Sequence, residues 1–376
     1  MEGHQVIIVG GGPGGSFLAY LLAREGLDVI LLERRPMPRR KPCGGGITAK
    51  TAVLLSSLPW QTAVEDVTRQ AAVYYHRRTV VSWEQPVCHM VRREKFDHLL
   101  LTAAREAGAR TLEGCTVTAV AGDDRGVTVY TATHGALQAE LAIGADGAQS
   151  VVARDIRRGT RQGMALVAEV LAPPDRLADL RGDLVIDLAA IPAGYGWVFP
   201  KDDHLNVGLG TFSAAQRDLP ALLDAFLERM RLKGTPVRHR QGFPLPFHYL
   251  ADPSVTGVRT MLIGDAAGLC DPFTGEGIYH SCLSAATAAE AVLARRARLW
   301  EAPALYQRLL DRRLRRELAL AHRLARAFYG MTGWAAGFLE RRPDLMQEFW
   351  TYLYTDTYAA LWRTLFRRLR RHFLHV

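Results

Sequence analysis

The stretch HQVIIVGGGPGGSFLAYLLAREG, residues 4–26, constrains the fold more than any other part of the chain. Residues 5–9 are apolar and rich in β-branched side chains, and the apolar positions after the glycines recur at helical spacing. The order is strand, tight turn, helix. Gly10, Gly12 and Gly15 match G-x-G-x-x-G: one makes the turn, one lets backbone approach a pyrophosphate, and one lets the helix pack on the strand. The helix N-terminus then offers free N–H groups to an anion. A second strand over 28–32 ends in Glu33, placed where a carboxylate accepts a hydrogen bond from a ribose 2′-OH. That acid favours an unphosphorylated adenosine ribose, as in FAD or NAD.

A chain of 376 residues predicts two domains with an appended segment. Its five cysteines form no C-x-x-C pair, which argues against a disulfide framework or a zinc site and for a reducing compartment. No charged leader precedes the first strand and no apolar run reaches the length of a membrane span, so a cytoplasmic protein is expected. His204, His248 and His280 show no ligand spacing, and there is no P-loop, nucleophile elbow or HExxH, so no metal site or hydrolase is expected.

The net charge of +9 is concentrated at one end: residues 295–376 hold 17 arginines against 7 acids, and the remainder holds 30 basic and 31 acidic side chains. Such a tail suits an anionic partner. On a 3.6-residue period Trp362, Leu365, Phe366, Leu369 and Phe373 share a face, with Arg363, Arg367, Arg370 and Arg371 outside it. This is the composition of an interfacial helix on an anionic membrane surface, or of a helix packed on the protein's own core with a solvated arginine face. No nucleic-acid recognition motif accompanies the charge, and nucleic acid is not an expected partner.

Two further stretches separate FAD from NAD. GADGAQSVVAR (144–154) follows a strand-like run, as does GDAAGLCDPFTGEGI (264–278). With the first glycines they resemble the three fingerprints of the FAD-dependent para-hydroxybenzoate hydroxylase-like superfamily. The resemblance implies that Asp265 holds the ribityl and pyrophosphate part of FAD, that Asp146 and Gly147 lie where the chain passes flavin and nicotinamide, and that Arg93 lies near the cofactor. Gly275 and Gly277 would let backbone approach a flat ring, and the helix starting near Ile278 would aim its positive end at a reduced flavin. Gly14, Arg34, Cys43, Gly44, Gly45 and Pro272 complete the expected cofactor contacts.

Between these motifs lie strand-like insertions, 71–84 and roughly 164–212. The predicted fold is α/β: a Rossmann-type FAD-binding domain (1–66, 93–155, 258–298) with an inserted sheet-rich substrate domain (67–92, 156–257) and a C-terminal basic helical segment (299–376). KPCGGG (41–46), GYGWVFPK (194–201) with the following HLNVGLG, and DPFTGEGI together resemble the geranylgeranyl reductase family, which saturates isoprenoid double bonds on lipids, chlorophyll side chains, prenyl diphosphates or quinones. That resemblance covers most of residues 1–290. It implies a polyprenyl substrate, flavin reduced by NAD(P)H or a small electron-transfer protein, and a hydride and a proton delivered across the alkene. Cys43, on a glycine-rich loop able to fold back to the flavin, and Tyr195 are the candidate weak acids. Tyr195, Trp197 and Phe199 alternate onto one strand face as a substrate tunnel, with Trp197 grouped among the catalytic candidates. Two rivals stand beside this reading: an aromatic hydroxylase of the same superfamily, and a non-catalytic carrier of prenyl lipid.

Overall fold

The computed structural model describes residues 3–156, 162–213 and 218–373, with the side chains at 155, 365, 366 and 368–373 outside that description. The chain is α/β, and its described residues form three sheets. In the first, the central strand His4–Val9 pairs in parallel with Val29–Glu33 on one side and Ala136–Gly144 on the other. Thr260–Leu262 and Arg110–Glu113 extend it in parallel outward. Its central strands are apolar on both faces, and they share one core with the helices Pro13–Ala23, Arg93–Glu106 and Ile278–Ala294 and with the antiparallel hairpin of Val117–Gly122 and Val127–Thr131. The strand order reverses at His4–Val9, so the crevice beyond its C-terminal end lies at a topological switch point, where ligands of such sheets bind. Gly10, Glu33, Asp146 and Asp265 all lie at or just beyond these strand ends. Three motifs far apart in sequence therefore meet at one rim.

The second sheet has seven strands, ordered Val237–Pro246, Gln162–Val170, Leu205–Thr211, Gly194–Pro200, Asp183–Asp187, Gln70–Tyr74 and Arg78–Ser82. Its alternating side chains make two cores. One face packs on the helix Leu219–Arg229 through Val198, Val207, Leu223 and Phe226. The other takes the C-terminal helices: Phe328 from Arg316–Gly330, Phe349 and Leu353 from Pro343–Thr355, and Tyr358 and Leu361 from Tyr358–Phe373 join Val73, Ile186 and Trp197 in one cluster. A small sheet of Gly46–Thr48, Cys88–Val91 and Val64–Thr68 joins the two large ones.

The basic C-terminal segment is thus part of the protein's own core. Trp362 packs against the same cluster, while Arg363 and Arg367 are exposed. The side chains of Leu365, Phe366, Leu369, Phe373, Arg370 and Arg371 lie outside the described residues. No helix among the described residues is long and apolar enough to cross a membrane.

Candidate active site

The glycines after the first strand are distinguished by what a side chain would meet. A Cβ on Gly10, whose φ is +109°, would lie 2.4 Å from Ala145 O; one on Gly15, 2.0 Å from Gly10 O; one on Gly14, 2.4 Å from Ser281 Oγ. These three are explained by the protein's own packing, the last by the close approach of the helices Pro13–Ala23 and Ile278–Ala294. Gly12 is different: the nearest atom to its Cβ position is Arg39 Nη2 at 3.9 Å. Its backbone faces open space at the helix N-terminus, a cradle that suits a pyrophosphate.

Charged side chains line the same crevice. Glu33 accepts from Gly11 N at 2.8 Å and Arg35 N at 3.1 Å, and pairs with Arg39 Nε at 3.3 Å. Arg39 also pairs with Asp97, which holds Arg93 through two bonds of 2.7 Å. The Arg93 guanidinium in turn lies beside the Cys43 side chain. Arg34 is exposed, and Arg39, five residues on, reaches the glycine turn. Burial pushes the Asp265 carboxyl up against the pull of Lys41 and Arg93. Burial also raises Asp146, one of whose oxygens accepts from Val151 N at 2.7 Å while Oδ1 is buried without a hydrogen-bond partner among the described residues. Open backbone at Gly12, an orphaned buried Asp146 oxygen and the cations Arg39, Lys41 and Arg93 fit a dinucleotide diphosphate such as FAD.

Beyond Cys43 the crevice opens into an apolar cavity of about 170 Å³. Cys43, Gly44 and Gly45 form one end, with Gly275, Gly277 and Ile278 beside them. Tyr195, Trp197 and Phe199 form one wall, their neighbouring rings 6.1 Å apart. The opposite wall comes from the C-terminal helices: Phe328, Tyr329, Phe349, Trp350, Leu353 and Tyr354. Sequence reasoning missed those six, although their apolar helical spacing was visible.

Three hydroxyls fix the loop 271–277. Tyr195 donates to Thr274 O, Tyr329 to Phe273 O at 2.7 Å, and Tyr358 to Asp271 Oδ1 at 3.0 Å. Burial pushes the Tyr195 phenol well above its usual pKa, and its hydroxyl proton is directed at the Thr274 carbonyl. Cys88, also at the cavity, is raised by burial to about 12. Cys43, also at the cavity, is only half-buried. At the polar corner Glu276 accepts from Thr48 Oγ1 at 2.6 Å and pairs with Lys50 at 2.8 Å.

Lys201 is 2% exposed, and burial lowers its pKa to about 8 despite the Cys43, Cys88, Glu65 and Asp66 side chains. Between that value and about 10.4 the unfolded chain binds the extra proton, so this lysine makes the fold more stable as pH rises. Relative to Lys201→Met, the wild-type protein should gain ~1.4 kcal/mol per pH unit between pH 8 and 10. Parallel denaturant titrations of the two proteins measure it, and a pH-independent difference would contradict it.

Comparison with known proteins agrees with this geometry. The family described as FAD binding domain matches residues 3–296. An uncharacterized protein of Methanosarcina barkeri is 30% identical, the match covering 88% of this chain and 85% of that one. Geranylgeranyl diphosphate reductase of Rhodobacter capsulatus is 32% identical over 77% of this chain and 75% of its own, and menaquinone reductase of Mycobacterium tuberculosis 32% over 86% and 84%. The chain spans about two thirds of the rice chloroplastic geranylgeranyl diphosphate reductase, at 66%. A geranylgeranyl bacteriochlorophyll reductase-like structure from Thermoplasma acidophilum superposes with a TM-score of 0.76 at 24% identity, covering 88% of each chain, and shows the same fold. With its dinucleotide cradle and the matches across its length, the chain belongs to the geranylgeranyl reductase family of FAD-dependent oxidoreductases.

Proposed function

We propose that this protein saturates C=C bonds of a geranylgeranyl or other polyprenyl chain held in the apolar cavity. The observation that carries the reading is the cavity itself, walled almost wholly by aromatic and aliphatic side chains and ending at Cys43 and the Gly275–Gly277 turn. Bound FAD, once reduced, supplies the hydride equivalent that an unactivated alkene requires. Gly12, Glu33, Arg39, Lys41, Arg93, Asp146 and Asp265 are assigned to holding it. Trp197 and Phe199 keep the isoprenoid in register and exclude water, and Tyr195 fixes the loop against which the chain lies. Cys43 Sγ, at the cavity's end, is assigned the proton. A water-soluble phenol would need polar anchors, and the cavity's polar side chains cluster at the Thr48–Glu276 corner.

The electron donor is assigned to NAD(P)H or a small reduced protein. An anionic membrane surface is the expected setting: Arg308, Arg312, Arg316, Arg323 and Arg326 are exposed along residues 302–330, and exposed Met331 and Trp334 follow, one turn beyond the cavity residues Phe328 and Tyr329. Anaerobic incubation of the chemically reduced protein with geranylgeranyl diphosphate or a geranylgeranylated phospholipid, followed by mass spectrometry, tests the reading. Products should gain two hydrogens per step, faster from anionic than from zwitterionic vesicles. Cys43→Ser should keep FAD and slow reduction at least ~100-fold, within the range of general acid catalysis. Unaltered prenyl chains, with hydroxylation of an aromatic on adding oxygen, would sink the reductase reading.

A further inference from the structure

The loop that carries Cys43 cannot hold its own shape. Gly44 and Gly45 follow the thiol, Gly45 at φ +69°, and glycine pays the largest conformational entropy of any residue when fixed. Yet three side chains of the hairpin formed by Gly194–Pro200 and Leu205–Thr211 reach across to the loop's backbone or pack on it. Lys201 Nζ donates to Gly44 O at 2.9 Å and to Val91 O at 3.0 Å, with Gly45 O at 3.5 Å. All three acceptors are carbonyls, so the ammonium is buried against dipoles. Asn206 Nδ2 donates to Cys43 O at 3.1 Å, and its Oδ1 accepts from Trp197 Nε1 at 2.9 Å. That bond fixes the amide's orientation and links it to the cavity wall. Phe199 closes the third side: a Cβ on Gly44 would lie 2.9 Å from its ring.

Burying an ammonium costs several kcal/mol, and a methionine would fill the same space at no such cost. What lysine adds is a donor that ties Gly44 O of the glycine loop to Val91 O of the neighbouring strand. We propose that Lys201 and Asn206 are positioning residues, a two-point clamp from the hairpin that fixes the 43–45 peptide and holds the Cys43 thiol at the end of the cavity. Its importance for alkene reduction rests on the proposed function; the clamp itself does not. Because Trp197 orients Asn206, the wall that would contact the isoprenoid and the loop that carries the thiol move as one unit.

The test reads the thiol directly, without a polyprenyl substrate. Cys88, Cys115, Cys270 and Cys282 are buried, so maleimide labelling of the FAD-loaded native protein reports Cys43, with Cys43→Ser giving the background. In Lys201→Met the labelling rate should rise at least ~10-fold, and hydrogen exchange of the Gly44 and Gly45 amides should accelerate with it. Asn206→Asp keeps the size of the side chain and can still accept from Trp197, but once ionised cannot donate to Cys43 O. It should raise labelling too, and it keeps the proposal testable if Lys201→Met fails to fold. Asn206→Gln, which retains the amide donor, should restore part of the protection. Labelling and exchange within twofold of wild type in both Lys201→Met and Asn206→Asp would overturn the clamp, whatever the protein's substrate proves to be.

Discussion

Gly12→Ala should leave a folded protein that binds FAD at least ~100-fold more weakly, a loss of about 2.7 kcal/mol. The expectation follows from the one glycine in the turn whose missing side chain the protein does not explain. Gly10, Gly14 and Gly15 would each drive a Cβ to within 2.4 Å of another atom of the chain. At Gly12 nothing lies closer than 3.9 Å, and its φ of −80° and ψ of −177° suit any residue. The cost to the fold is that of a poorer helix N-cap, about 1 kcal/mol at most. The methyl group would occupy space that a diphosphate must enter to reach the N–H groups of the helix. Gly15→Ala should do the opposite, lowering stability outright through collision with Gly10 O. Fluorescence titration of apoprotein with FAD, beside thermal unfolding of the same variants, separates the two. Undiminished FAD affinity in Gly12→Ala would mean that the pyrophosphate does not lie at this turn.

How much of this was legible in the sequence depends on whether a feature is local. The nucleotide crevice is made of turns at strand ends, and each turn writes its requirements into a few consecutive residues. Gly10, Glu33, Asp146 and Asp265 could therefore be placed before their strands were seen side by side. The cavity is not local: its lining runs from Cys43 to Tyr354. A helical period shows that Phe349 and Leu353 share an apolar face, but not that the face looks onto a sheet strand carrying Trp197. Charge left the reading open, because an arginine-rich amphipathic helix has the same composition on a membrane as on a core. Trp362 packs inward, and the exposed Trp334 lies on the preceding helical corner instead. Lys201 and Asn206 escaped notice for another reason. Their acceptors are peptide carbonyls, and a carbonyl has no letter in the sequence. The approach of Arg39 to the glycine turn is of the same kind, since loop geometry decides which of several neighbouring arginines turns inward.

Filling the cavity from its floor gives the second large effect: Gly210→Leu should retain FAD and fold stability while lowering kcat/KM for a geranylgeranyl substrate at least ~100-fold. The strand Leu205–Thr211 presents Gly208 and Gly210 on one face, two residues apart. They are not equivalent. A Cβ on Gly208 would lie 2.2 Å from the Trp197 ring, so that glycine exists to seat the indole. A Cβ on Gly210 would meet Trp197 at 3.6 Å and Leu245 at 3.8 Å, both ordinary contacts, and Gly210 itself lines the cavity. Its strand partners Tyr195 and Ala165 line the cavity too, which confirms the direction in which a side chain there would project. A leucine would extend into the space assigned to the isoprenoid. It would also recover the ~1 kcal/mol that glycine forfeits in a strand, so the melting temperature should hold or rise. The dinucleotide crevice lies at the ends of a different sheet, and FAD binding should be unaffected. A shorter prenyl chain that leaves the floor vacant should lose less, making the ratio of rates for geranyl and geranylgeranyl diphosphate the sensitive readout. If Gly210→Leu reduces the long chain as fast as wild type, the polyprenyl group lies elsewhere, and the aromatic walls are core.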